Sequence, residues 1–233
     1  MVTNQYGQPV GDPLPQWQSR LRPSRATLNG KFCYLAPLDA ERDFTALFNA
    51  YQQAADGRDW TYLMGERPET PTAMRGHLEM LQGNTALVNF VVFDSHNSIP
   101  VGTLAFMRIE EAIGVLEIGH INWSPLMKRR SCATEAIYLM LRAAFDELGY
   151  RRCEWKCDSL NEPSRQAALR FGFSYEGRFM KALVTKGRNR DTDWFAMTED
   201  RWPTVRTAFE RWLDEGNFTA DGQQKQRLQA FML

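Results

Sequence analysis

The sequence predicts an α/β fold built on a mixed, mainly antiparallel sheet flanked by helices. Three observations predict it. Strand-like runs at Ala86 to Phe93, Val101 to Glu110 and Val115 to Trp123 are parted by turn signals at Asp94-Ser-His-Asn97 and Gly114, which reads as an antiparallel meander. A long amphipathic helix then leads to another strand, Arg151 to Cys157, and a helical crossover makes that strand a parallel-type neighbour. A last helix carries an apolar stripe of Trp202, Val205, Phe209, Trp212 and Leu213.

The elements follow in order. Residues 1–30 are polar and carry Pro9, Pro13, Pro15 and Pro23. They read as an extended arm, either anchored through Trp17 and Leu21 or loose. Lys31 to Leu38 is a strand with Phe32, Tyr34 and Ala36 on one face, and Asp39 caps a helix bearing Phe44, Leu47, Phe48 and Tyr51. A loop from Asp56 to Thr70 holds Trp60 and Tyr62, and a second helix covers Thr72 to Leu81. In the crossover helix, Ala133, Ala136, Ile137, Met140, Leu141, Ala144, Phe145 and Leu148 recur on one face, with Ser131 at the N-cap and Gly149 at the left-handed C-terminal cap. Glu162 to Phe171 is a short helix. Phe173 to Val184 and Asp193 to Met197 form a closing hairpin tipped by Lys186-Gly187-Arg188-Asn189-Arg190. Asp200 would cap the last helix, with Pro203 in its first turn, where the missing N–H costs little. Its stripe either docks on the sheet or makes a homodimer interface. The chain thus divides into the arm, a domain over 31–198, and a C-terminal helix and tail over 199–233.

Composition bounds the function. The chain has 233 residues, 28 basic and 28 acidic, and a formal net charge of zero, so nothing draws it to nucleic acid or membrane in bulk. It has no apolar run near the ~18 residues of a membrane span, and Met-Val-Thr-Asn-Gln-Tyr-Gly lacks the apolar core of a signal peptide. A cytoplasmic protein is expected. Cys153 and Cys157 share a strand face with Trp155, roughly 13 Å apart, beyond the about 7 Å a disulfide spans. Buried free thiols are expected, with Cys132 beside a helix N-terminus and basic residues that would lower its pKa. No metal site is expected, because His77, His96 and His120 are not clustered.

The loop before the crossover helix carries Lys128, Arg129 and Arg130. Free N–H groups of a helix N-terminus beside positive charge suit a pyrophosphate; the other reading is a capped helix behind a solvated basic loop. Further residues decide the family likeness. Ala133-Thr134-Glu135-Ala136, then Asn161 and Ser164 before a helix ending in Gly172-Phe173, together with Leu116-Glu117-Ile118-Gly119-His120 and Ser124-Pro125 upstream, resemble the GNAT superfamily of N-acetyltransferases. Within it the run is similar to the RimJ/RimL type, and the likeness covers roughly residues 31–198. It departs from the family at Ser131, where a glycine is usual, and at Arg129, where another is common. Serine fits there if φ stays negative.

The resemblance implies a GNAT fold and acetyl-CoA-dependent transfer of an acetyl group to a primary amine, of a small molecule or a peptide N-terminus. It implies that the backbone of Ile121, Asn122 and Trp123 pairs with the pantetheine arm. Lys128, Arg129, Arg130, Ser131, Cys132, Ala133 and Thr134 would hold the pyrophosphate, and Asn161 would touch the cofactor. Ser164 would protonate the leaving thiolate, since Ala168 stands where some relatives carry a tyrosine. Trp60, Tyr62 and Met64 lie where the family places its acceptor; a hydrophobic plug is the other reading.

Such chemistry needs a base for the amine, held reactants, and donors for the thioester oxygen. His120 and Glu117 are the candidate bases, Glu117 acting through water. Three residues apart on one strand, they face opposite sides unless a bulge intervenes, which Gly119 permits. Asp191 and Asp193 would bind a cationic acceptor or serve as turn and ion-pair residues. Two rivals remain. One is a regulatory module that holds acyl-CoA without turnover, favoured by Ser131, Arg129 and Ala168. The other is a basic loop for a different phosphate ligand.

Overall fold

The computed structural model describes residues 2–232. A short pair, β1 (Val2–Thr3) and β2 (Pro9–Val10), lies apart from the main sheet. The main sheet has eight strands: β3 (Leu28–Asn29), β4 (Cys33–Pro37), β5 (Val88–Asp94), β6 (Pro100–Glu110), β7 (Val115–Trp123), β8 (Arg152–Asp158), β9 (Ser174–Thr185) and β10 (Arg188–Thr198). Their spatial order is β3-β4-β5-β6-β7-β8-β10-β9. Every pairing is antiparallel except β7 with β8. The meander and the crossover therefore stand where the sequence places them.

The helices form for local reasons. In α1 (Ala40–Tyr51), Asp39 accepts from the N–H of Arg42 at 3.0 Å. In α2 (Pro71–Gly83), Thr70 accepts from that of Ala73 at 3.1 Å. The crossover helix α3 (Ser131–Arg142) continues into one wide π-type turn, Ala143–Glu147, and ends at Gly149 with φ +67°, the left-handed cap its glycine allows. The last helices are α4 (Glu162–Arg170) and α5 (Trp202–Trp212). Residues of α5 from Trp202 to Leu213 pack into the main core, so the tryptophan stripe is covered from within the chain. Among the described residues no helix is long and apolar enough to cross a membrane.

Some boundaries differ from expectation. Strand β10 starts at Arg188, so the hairpin tip is only Lys186-Gly187, both at positive φ. Helix α5 has Arg201, not Asp200, at its N-cap. Phe32 precedes β4 and packs with the larger core, away from Tyr34 and Ala36 on the opposite face. Asp191 and Asp193 hold the hairpin: Asp193 is fully buried between Arg165 and Arg178, and Asp191 accepts from the N–H of Lys181 at 2.7 Å.

The sheet separates two cores. One face packs α3, α4 and α5 around Phe106, Ile118, Trp155 and Phe195; the other packs α1 and α2 around Trp60, Leu78 and Val91. The arm follows the domain surface. Trp17 donates its Nε1–H to the carbonyl of Ala112 at 2.9 Å, while Leu21 is tied by its own carbonyl to Tyr150 Oη and leaves its side chain exposed. Of the C-terminal tail, Phe231 and Met232 pack against the main core, and Leu233 lies outside the described residues.

Candidate active site

The site begins where the sheet fails to close. Strands β7 and β8 pair only at Val115 with Arg152, Leu116 with Cys153 and Glu117 with Glu154. Beyond Glu117, β7 stays paired to β6 and β8 to β10, but not to each other. One backbone edge of β7 from Ile118 to Trp123 thus faces a split rather than a strand. Unpaired backbone groups must find partners, and an extended chain laid in the split would meet them. Within Ile121, Asn122 and Trp123, the Asn122 carbonyl is already taken by Tyr51 Oη at 3.1 Å.

At the end of β7 the chain turns through Ser124-Pro125 into the basic loop. Arg129 takes the left-handed conformation, φ +62°. Arg130 is the N-cap, at φ −106°, and Ser131 is the first helical residue. So the expected Ser131 cap is displaced by one residue, and serine escapes the strain expected of it, because the positive φ falls on Arg129. No side chain caps α3 among the described residues; the Ala133 N–H turns back to the Arg130 carbonyl at 3.2 Å, and those of Ser131 and Cys132 are left for an anion. Arg129 and Arg130 are exposed; Lys128 reaches back to Asp59 on the α1–α2 loop at 2.5 Å. Cys132 and Thr134 are buried, and Ala133 is half-buried at the mouth.

The expectation of a lowered Cys132 pKa fails. Burial outweighs the neighbouring arginine and pushes this thiol up to about 12. Glu135 also turns out to hold the framework. Its carboxylate, 2% exposed, accepts the backbone N–H groups of Lys31 at 2.8 Å, Phe32 at 2.6 Å and Cys33 at 2.8 Å, which pins the start of β4 to α3.

Strand β7 contains the bulge that Gly119 permits. Thr103 faces Asn122 while Ala105 faces Gly119, so Leu104 alone on β6 opposes both His120 and Ile121. His120 has φ +50°. The extra residue turns His120 toward α2, where its charge reaches His77. Glu117 shares that side of the sheet, with Met107 and Gly119 beside it. The bulge thus brings the two candidate bases to one face. Burial lowers the His120 pKa, which keeps the imidazole neutral and able to accept a proton. Burial also raises Glu117 above the usual carboxylate range, against the opposing pull of Lys156 and Arg108.

On the opposite wall, Asn161 caps α4, its side chain accepting from the N–H of Ser164 at 3.3 Å. Ser164 Oγ accepts from Trp155 Nε1 at 3.0 Å, which leaves its own proton to donate. Ala168 is fully buried in the main core.

The α1–α2 loop roofs the site. Trp60 is 2% exposed and packs edge-on against Tyr51 and His77, with ring centroids 5.5 and 5.4 Å away. It is the plug beneath the loop and presents no open ring. Tyr62 is half-buried, and Met64 is exposed beside Thr185. Lys186, at the hairpin tip, donates to the Trp60 carbonyl at 2.8 Å and pairs with Glu66 at 3.1 Å. One loop thus joins both walls of the split, through Asp59 on the β7 side and Trp60 on the hairpin side.

Sequence reasoning missed Asp59, Lys156 and Lys186. Lys156 carried a signal: Glu154 and Lys156 alternate with Cys153, Trp155 and Cys157, so one face of a central strand is charged. For Asp59 and Lys186 the sequence holds no such signal, since their partners are distant in the chain.

Comparison with known proteins agrees with this geometry. The family model described as Acetyltransferase (GNAT) domain matches residues 33–174. The chain is similar to a crystal structure of a GCN5-related N-acetyltransferase from Brucella melitensis, at 41% identity and a TM-score of 0.92, over 94% of this chain and 99% of that one. It is also similar to a probable acetyltransferase of the GNAT family from Chromobacterium violaceum, at 39% identity and a TM-score of 0.78, over 84% of this chain and 98% of that one. The SPbeta prophage-derived uncharacterized N-acetyltransferase YokL of Bacillus subtilis is 29% identical over 113 residues, 48% of this chain, and the match spans 63% of that relative's length.

Proposed function

The chain belongs to the GNAT acetyltransferase family, and from that premise we propose that it transfers an acetyl group from acetyl-CoA to a primary amine, of a small molecule or a protein N-terminus. The observation that carries this reading is the split between β7 and β8, opening beside an uncapped helix N-terminus flanked by Arg129 and Arg130. These residues suit acetyl-CoA: a strand edge for an extended amide-bearing arm, and N–H groups with cations for a pyrophosphate.

In this reading the edge of β7 from Ile121 to Trp123 positions the thioester, and its N–H groups are the donors at hand for the carbonyl oxygen as charge builds. The loop from Lys128 to Thr134 holds the phosphates. Lys128 then exchanges Asp59 for a phosphate oxygen. Glu117 or His120 takes a proton from the ammonium of the acceptor, directly or through water, and frees its lone pair for attack. The amine nitrogen bonds to the acetyl carbon, the C–S bond breaks, Ser164 supplies a proton to the departing thiolate, and the second proton shed by the new amide nitrogen restores the Ser164 hydroxyl through water. Asn161 fixes the turn that presents Ser164. Tyr62 and Met64 lie on the acceptor side of the roof, and Trp60 supports it from below. The order of Thr134-Glu135-Ala136, Asn161, Ser164 and Gly172-Phe173 supports a RimJ/RimL-like branch.

A second reading, an acyl-CoA-binding regulatory module, draws on Ala168, whose burial leaves no phenol at the position where some relatives carry an acid. Calorimetric titration with acetyl-CoA, with CoA and ATP as controls, tests the site. Micromolar binding of acetyl-CoA without ATP binding is the expected result, and no binding by the folded protein refutes it. A panel of amines assayed by CoA release then separates enzyme from module: acceptor-dependent release marks the enzyme, and tight binding with no release across the panel marks the module.

A further inference from the structure

The α1–α2 face of the sheet carries a chain of six charges in alternating sign. Glu176 on β9 pairs with Arg152 on β8 at 2.5 Å, and Arg152 with Glu154 at 2.8 Å. Glu154 pairs with Lys156 at 2.6 Å, Lys156 with Glu117 on β7 at 3.0 Å, and Glu117 with Arg108 on β6 at 3.1 Å. The chain draws on four strands, spans a fifth, β10, between β8 and β9, and runs from the exposed hairpin to the head of the split. Its centre is Lys156, whose side chain is 6% exposed, with Nζ 3.7 Å from the ring centroid of Trp194.

A buried ammonium is costly unless its hydrogens and charge are all met. Lys156 meets that demand with two carboxylates and an aromatic face. Glu117 is differently placed. Its Oε2 is enclosed by two cations, 3.0 Å from Lys156 Nζ and 3.1 Å from Arg108 Nε, and Lys156 also supplies it a hydrogen bond. Both cations hold the same oxygen, so Oε1, on the Gly119 side, is the one left to take a proton.

We propose that Lys156 is a positioning residue for acetyl transfer: pinned over Trp194, it holds Oε2 of an ionised Glu117 carboxylate and so leaves Oε1 for the acceptor amine. This rests on the reading of Glu117 as the base. Burial alone would leave Glu117 protonated over more of the working pH range, and Lys156 is the strongest opposing influence, ahead of Arg108. The charged groups that face Glu117 are Arg108 from β6 and Lys156 and Glu154 from β8, of which Glu154 opposes its ionisation. In the helical layer, the titratable group at this part of β7 is His77 of α2, which couples to His120. Glu154, fixed by Arg152, is the second carboxylate against Lys156. The set balances three cations against three anions.

The test compares the full-length protein with Lys156→Met, Lys156→Arg and Glu117→Gln. Isotope-labelled glutamate carboxylates are titrated by NMR, the Glu117 resonance being the one absent in Glu117→Gln. In Lys156→Met its midpoint should rise by about 1–2 pH units, the usual effect of losing an opposite charge at contact. In Lys156→Arg it should return most of the way. The acid limb of kcat with the best amine of the panel should move by the same amount. A midpoint unmoved in folded Lys156→Met overturns the proposal, as does a limb that stays put while the resonance moves. If kcat survives in Glu117→Gln, the base assignment fails instead, while the NMR midpoint still reads the effect of Lys156 on Glu117 independently of that assignment.

Discussion

Replacing Glu135 by alanine should destabilise the protein by about 3–5 kcal/mol, because a buried donor left without a partner costs about 1–3 kcal/mol. The carboxylate serves three backbone N–H groups at once. Lys31 is exposed, so water can serve its N–H after the change. Phe32 is half-buried and Cys33 fully buried, so their N–H groups lose a charge-assisted bond with little or nothing to replace it. The vacated side-chain volume adds to the loss. Urea unfolding followed by tryptophan fluorescence reads the change as a lower midpoint at constant slope. A companion, Gly30→Ala, would put a Cβ 2.5 Å from the Glu135 carboxyl carbon and should disturb the same clamp. The two changes together should cost less than their sum. A loss below about 1 kcal/mol in Glu135→Ala, under the smallest cost of one orphaned buried donor, would refute the account of Glu135 as the tie between β4 and α3.

Three further outcomes follow from the site. Ala133→Asp sets a carboxylate at the mouth of the α3 N-terminus, where it would repel the pyrophosphate and fill the space; acetyl-CoA binding should vanish by calorimetry, and unchanged affinity in the folded variant would sink this placement of the phosphates. Burial pushes Cys132 up to about 12 and Cys157 up to about 11, and raises Cys33 and Cys153 as well, so the native protein should leave a thiol reagent almost unreacted at pH 8 while the urea-unfolded chain titrates all four thiols. Burial lowers the His120 pKa and raises that of Glu117, so the acid limb of kcat/KM should lie below the usual imidazole value if His120 is the base and above the usual carboxylate value if Glu117 is; a limb above the imidazole value would exclude His120, and one at or below the carboxylate value would exclude Glu117.

Periodicity made the framework legible. Turn residues at Asp94 to Asn97 and at Gly114 delimit the meander, and the apolar face of α3 needs only burial on one side to declare itself. The hairpin tip misled because Lys186 to Arg190 reads as a polar loop, whereas β10 from Arg188 to Arg190 projects past β8 and is paired on the β9 side alone, where charged residues are tolerated. In the site, motif order located the α3 N-terminus and the α4 turn. Which residue takes the positive φ was not legible, since Arg129 and Ser131 are both unusual there and only the tertiary path of the loop chooses between them. The bulge at His120 was permitted by Gly119 but decided by the β6 register. Two contacts of the ion chain lie within β8, but the other three exist only once residues of β6, β7 and β9 are brought together with it, so the single strand shows only alternation.

The split in the sheet also makes this molecule a jointed one. Five strands from β3 to β7 form one laced block, and β8, β10 and β9 form another. Three residue pairs and the crossover of α3 tie the blocks together along the sheet. Flexing at such a seam breaks few hydrogen bonds, so the two blocks are the natural units of sub-global opening. A ligand lying along the free edge of β7 supplies the missing rungs of a ladder. It then behaves as an extra strand, and its arrival turns two loosely coupled halves into one cooperative body.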